Sequence, residues 1–105
     1  MRPFRNLKVS SLLTEELGKM FARDFNFEGA LVTIMSVDVD KDLLHARVKL
    51  GIIPYERGPE VYKKISREAS NIRFLLLKKI NIKPMPFLQF EIEDTDKKTE
   101  QQLAP

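Results

Sequence analysis

Three groups of residues in this 105-residue chain could do chemistry: alternating carboxylates, a concentrated set of cations, and an aromatic ring set among basic residues. Asp38, Asp40 and Asp42 alternate and invite a calcium site. A calcium loop wants Gly at its sixth position and Glu at its twelfth. Counted from Asp38, those positions hold Leu43 and Lys49, so an acidic hairpin end is expected instead. His45 is the sole histidine and the chain has no cysteine, which leaves no partners for a zinc site and excludes disulfides and thiol nucleophiles. His45 is expected on a strand surface. No phosphate-cradling glycine loop, paired histidine or activated nucleophile is present, so neither an enzyme nor a cofactor nor a bound metal is expected.

The cations Lys63, Lys64, Arg67, Arg73, Lys78, Lys79 and Lys83 fall within one short stretch. Phosphate contacts need charge density along a face, and long basic side chains on neighbouring turns supply it without reading sequence. The plainer reading is a solvated helix surface balanced by Glu60 and Glu68. Arg2, Arg5 and Lys8 form a second basic group, read either as a nucleic-acid contact or as an ordinary charged terminus. Arg67, Asn71, Phe74 and Lys78 step by four, three and four, which an unbroken helix would bring to one side, with Phe74 able to stack a base. The competing reading, and the expected one, puts Phe74 in the core beside Leu75 and Leu77.

These residues need elements to position them. Val9, Leu12, Leu13, Leu17, Met20, Phe21 and Phe25 follow helical steps, predicting a first helix from about Leu7 to Phe25 with Asn6 or Ser11 as cap. Residues 30–39 and 43–52 read as strands, the second alternating Leu44, Ala46, Val48 and Leu50 against His45, Arg47 and Lys49. Only an antiparallel hairpin fits the short connection Asp40-Lys41-Asp42. Gly51 to Pro59 holds two Gly and two Pro and reads as a loop, after which Gly58-Pro59-Glu60 starts a helix. Val61, Ile65, Ala69, Ile72, Leu76 and Ile80 carry a helical stripe past Ser70 and Asn71, whose side chains compete for backbone hydrogen bonds. A kink or joint at 69–71 is therefore expected. Lys83-Pro84-Met85-Pro86 ends the helix, and Phe87, Leu88, Phe90 and Ile92 suggest a third strand. Residues 94–105 lack apolar periodicity and are expected to form a solvated tail behind a domain of residues 1–93.

The order helix, strand, strand, helix, kink, helix, strand predicts one α+β domain with its helices on one face of a three-stranded sheet. It resembles the type II KH domain, known for binding single-stranded RNA through a GXXG loop between its middle helices. No GXXG occurs here. Ala69-Ser70-Asn71 stands in its place and resembles the Ala-X-Gly kink of the ribosome-binding factor A family. The hairpin from Val37 to Val48, the run Glu68 to Arg73 with Leu76, the Pro-X-Leu-X-Phe-like segment from Lys83 to Phe90, and Arg2-Pro3 at the start are similar to that family's pattern. Asn71 replaces its Gly and Glu93 its Asp, and the tail is shorter than in many members.

The resemblance, spanning roughly residues 2–93, implies a non-catalytic assembly factor that binds the immature small ribosomal subunit, promotes late processing and folding of its rRNA, and then leaves. It raises the RNA-contact reading of the basic residues above the plainer one. A general single-strand RNA binder and a protein-interaction module are the alternatives. A monomer is expected, since no heptad pattern compels a dimer. Residues 1–20 lack a signal peptide's apolar core, and no 18-residue apolar run occurs, so a cytoplasmic protein with no membrane contact is expected.

Overall fold

A computed structural model describes residues 5–93, so Arg2 and the expected tail 94–105 lie outside the described residues. The elements run α1 (Arg5–Arg23), β1 (Leu31–Val39), β2 (His45–Ile53), a 3-10 turn (Tyr55–Arg57), α2 (Gly58–Arg67), α3 (Ala69–Lys79) and β3 (Phe87–Ile92). This is the expected order.

β2 is the central strand, antiparallel to β1 and parallel to β3. A short turn can make the first pairing, whereas the second needs a crossover, which α2 and α3 provide. On the covered face Val37 faces Val48 and Val39 faces Ala46 across the hairpin, and Phe90 lies beside Val48. Five of the apolar residues of α1 (Val9, Leu13, Leu17, Met20 and Phe21) pack into this core, as do Val61 and Ile65 of α2 and Ile72 and Leu76 of α3. At one end Phe21, Phe25, Phe27 and Phe90 form an aromatic cluster, Phe21 meeting Phe25 edge-on at 5.3 Å and Phe25 stacking on Phe27 at 5.8 Å.

β1 contains a feature that simple alternation misses. The register shifts between Ile34 and Ser36, leaving Met35 as an extra residue. Up to Ile34 the more buried positions are even (Val32, Ile34), and past the bulge they are odd (Val37, Val39). One inserted residue flips the side-chain parity, so the bulge lets both halves face the core. Across the hairpin Gly51 leaves room for Met35, since a Cβ there would lie 2.9 Å from the Met35 sulfur.

Other expectations shift. Neither Asn6 nor Ser11 caps α1, because both lie within it; Asn6 instead donates to the Val39 carbonyl, and the Ser10 hydroxyl donates to that of Val37 at 2.5 Å, fastening α1 to β1. Leu44 precedes β2 and is exposed, while Leu43, with φ 64°, turns inward in the hairpin and is buried. The expected loop at 51–59 is mostly ordered structure: β2 continues to Ile53, and the 3-10 turn leads directly into α2.

The kink is present but sits one residue earlier than expected. Glu68 closes α2 and opens α3 with ψ 4°, its amide shared between the Lys64 and Ile65 carbonyls, and Ala69, Ser70 and Asn71 already belong to the first turn of α3. Asn71 does not use a left-handed backbone; the non-glycine residues with positive φ are Glu28 and Leu43 among the described residues. Its side-chain amide instead donates to the Glu68 carboxylate at 3.3 Å, bracing the joint.

Candidate nucleic-acid-binding surface

The sequence-predicted cations separate by what their charged ends touch. Lys63 and Arg67 on α2, Lys78 and Lys79 at the end of α3, and Lys83 beyond it are exposed, and none forms an ion pair with a carboxylate among the described residues. Lys64 and Arg73 are half-buried and engaged with the fold. The Lys64 ammonium donates to the Asn26 carbonyl and lies 5.8 Å from the Phe27 ring centre, while Arg73 donates to the Met85 carbonyl at 2.9 Å and lies 4.7 Å over Phe87. Chain folding also joins the two basic groups: Arg5 at the start of α1 donates to the Lys83 carbonyl at 3.4 Å, with exposed Lys8 on the next turn.

Arg57 was missed by sequence reasoning. Its guanidinium donates to the Phe27 carbonyl at 3.0 Å, the Glu28 carbonyl at 2.5 Å and the Glu60 carboxylate at 2.8 Å. With Lys64 on Asn26, three consecutive carbonyls of the α1–β1 connection are held by cations from α2 and the turn before it. Only the Arg57–Glu60 spacing was visible locally; the carbonyl partners lie 29 and 30 residues away. The hydrogen bond between Arg57 and Glu60 raises the arginine pKa above its usual value and lowers that of Glu60 below the usual carboxylate range.

Two clefts flank the kink. The first, about 510 Å³, holds Arg57, Lys63, Lys64 and Arg67 alongside Glu28, Glu60 and Glu68. The second, about 380 Å³, opens between α3 and β3: Ala69 and Ser70 sit at its kink end, with Phe74, Leu77, Phe87, Leu88 and Arg73 around it. The kink therefore divides the set Arg67, Asn71, Phe74 and Lys78, placing Arg67 in one cleft and Phe74 in the other. Phe74 is 54% exposed, so the expected core position is wrong; Ile72 and Leu76 fill the inward face of α3 instead. At the hairpin end, the ligand atoms of Asp40, Asp42 and His45 lie within 4.8 Å of one another, all three residues being exposed, and Asp42 accepts the Leu44 amide at 3.0 Å.

Residues 5–103 match the sequence pattern of ribosome-binding factor A. The chain belongs to the ribosome-binding factor A family. The ribosome-binding factor A of Akkermansia muciniphila is 30% identical over 91 residues, covering 87% of this chain and 73% of that protein. That of Prosthecochloris aestuarii is 37% identical over 97 residues, covering 89% and 80%. In structure the chain is similar to the Thermus thermophilus ribosome-binding factor A fitted into the cryo-EM map of a 30S complex, with a TM-score of 0.69, 19% identity, and coverage of 81% of this chain and 91% of that one. A crystal structure of ribosome-binding factor A from Thermus thermophilus gives 0.59 at 21% identity, covering 83% and 90%. The ribosome-binding factor A fold thus carries the surface described above. Among the described residues no helix is long and apolar enough to cross a membrane.

Proposed function

We propose that this protein is a non-catalytic assembly factor that binds the immature small ribosomal subunit and assists late maturation and processing of its rRNA. Family membership supports the ribosomal role, and the Thermus relative is one fitted into a 30S complex. The observation that carries rRNA contact is the set of exposed cations without carboxylate partners among the described residues, Lys63, Arg67, Lys78, Lys79 and Lys83, with Arg5 against the Lys83 carbonyl and exposed Lys8 further along α1. Such side chains gain most from phosphate oxygens, because no internal pair must be broken first. Lys64 and Arg73 contribute mainly by holding the surface in shape, and Arg2, outside the described residues, is taken as a further RNA-contacting cation. Residues 1–93 form the ribosome-binding unit, acting in the cytoplasm as a monomer when free.

Gradient co-sedimentation with purified immature and mature small subunits across a salt series tests this reading. Preferential binding to the immature particle, weakening as salt rises, is expected. Equal binding to both at physiological salt defeats the selectivity, and binding to neither defeats the proposal.

A further inference from the structure

β1 has β2 on one side only, so its other edge is either covered or open. The Phe87 amide donates to the Leu44 carbonyl and that of Glu93 to Leu50, so the even residues of β2 bond towards β3 and the odd ones towards β1. Opposite those even positions, in the hairpin register, stand Val32, Ile34, Val37 and Val39, whose backbone groups therefore point to the free edge. α1 closes half of it. Asn6 donates to the Val39 carbonyl and Ser10 to that of Val37. Further along the same four-residue stripe the cover stops: Thr14 turns back to the Ser10 carbonyl, and Gly18 has no side chain and nothing within 4 Å of its Cβ position. Among the described residues no hydrogen bond from outside the sheet reaches Val32 or Ile34.

The open half is apolar and flanked by acids. Leu31, Met35 and Ile53 are 58%, 49% and 64% exposed on the uncovered face of the sheet, Leu31 directly opposite Ile53 and Met35 lying over Gly51. β1 contains no Lys, Arg or Pro, the residues that usually protect an exposed edge. Asp24 and Glu28, in the connection leading into β1, are exposed, and neither forms an ion pair among the described residues. We infer that residues 31–35 are a docking edge for an extended, cationic segment of a small-subunit protein, which adds as a fourth strand beside β1. This rests on the ribosomal reading and adds a protein contact apart from the cationic surface of α2 and α3. Main-chain bonds to Val32 and Ile34 hold such a strand, while Leu31 and Met35 meet its alternate side chains. The acids repel phosphate and favour Lys and Arg, which proteins resident on rRNA need for their own phosphate contacts. A second copy of this chain fits poorly, because pairing would bring the same acids together and two outward residues fall short of the roughly 800 Å² per partner of a stable interface. On the subunit a short strand suffices, since the RNA contacts hold the edge close to its partner.

The test compares wild type with Val32→Pro and Leu31→Lys in the full chain. The Val32 amide makes no ladder bond to β2, so proline there removes an edge donor and spares the hairpin. Leu31→Lys places at an exposed position a charge that repels a cationic strand. Affinity is measured for purified immature small subunits and for the rRNA extracted from them, with thermal midpoints as the folding check. Because the chain has no cysteine, Thr33→Cys carries a benzophenone at one exposed site, and its crosslinks on those subunits are mapped by mass spectrometry. Val32→Pro is expected to bind subunits about 2- to 13-fold more weakly, the span of one lost hydrogen bond. Leu31→Lys should also weaken subunit binding, and both should bind extracted rRNA no more weakly than wild type. The benzophenone should join a Lys- or Arg-rich stretch of a ribosomal protein.

If both variants, at wild-type thermal midpoints, bind immature subunits as tightly as wild type, or if the crosslinks fall on rRNA, the docking inference falls while the ribosomal reading stands. Should Val32→Pro lower the midpoint, Leu31→Lys and the crosslink decide. If wild type binds no immature subunits, the ribosomal reading falls and this inference with it. A concentration-dependent dimer of the free protein that Val32→Pro abolishes would assign the edge to a second copy and overturn the inference as well.

Discussion

Replacing both Lys63 and Arg67 with Gln isolates the electrostatic part of ribosome binding. Both side chains are exposed, and neither pairs with a carboxylate among the described residues, so their loss should leave the fold within about 0.5 kcal/mol of wild type. Each phosphate contact contributes about 0.9 to the slope of log K against log salt on a duplex and about 0.7 on single strands. Removing two contacts therefore flattens the slope by about 1.4 to 1.8. Between about 50 and 200 mM salt, wild-type affinity should consequently fall about 7- to 12-fold more than that of the variant.

The assay is a salt titration of binding to immature small subunits, with urea unfolding as the stability check. Lys19→Gln is the control, since that ammonium is already committed to Glu15 at 3.2 Å and Glu16 at 3.8 Å. Its slope should match wild type. An unchanged slope in the double variant refutes phosphate contact by α2. An equal flattening in the Lys19 control shows a net-charge effect and refutes the assignment to this face.

Four further outcomes follow from the fold. Gly18 lies inside α1 with nothing within 4 Å of where an alanine methyl would sit, so Gly18→Ala should stabilise by about 0.5 to 1 kcal/mol, a rise in thermal midpoint of about 2 to 8 °C by calorimetry. Leu76→Ala empties a fully buried site against the sheet and should cost about 2 to 5 kcal/mol in urea unfolding, a large part of a typical domain's total stability. Glu60→Gln tests the Arg57 clasp through pH. Because the folded carboxyl is held below its ordinary 4.5, its contribution is complete above that pH and disappears as pH falls through the lower folded value; the gap between wild type and variant should close on acidification, and a gap that widens refutes the assignment. Deleting Met35 should preserve the fold with near wild-type circular dichroism, because Val32, Ile34, Val37 and Val39 then alternate without interruption and Ser36 already pairs with Lys49.

The element order was legible because hydrophobic periodicity is a property of each segment alone. Every helix and strand lies within a few residues of its sequence expectation. What was hidden depended on partners distant in the chain. The Met35 bulge becomes visible only when β1 is laid against β2, since both parities of the strand carry apolar residues. The Arg57 clasp needs carbonyls from another connection. The kink was misplaced by one residue because Ser70 and Asn71 are the polar pair that catches the eye, although the backbone turns at Glu68, where an ordinary helix former occupies the joint.

Phe74 is the most informative miss. The stretch Ile72 to Leu77 has five apolar residues, more than one helical face can bury, and composition alone does not say which are surplus. In the fold Ile72 and Leu76, four apart, complete the core and leave Phe74 and Leu77 to solvent. A helix selected for stability alone has little use for an exposed phenylalanine beside an exposed leucine, since polar residues at those positions would help solubility without disturbing the core. Local patterning that exceeds what packing requires points to a surface role. Here Phe74 stands beside Lys78 in a cleft whose described lining holds no acid, and Phe74→Leu, at an unaltered thermal midpoint, should bind immature small subunits more weakly than wild type; equal binding refutes a surface role.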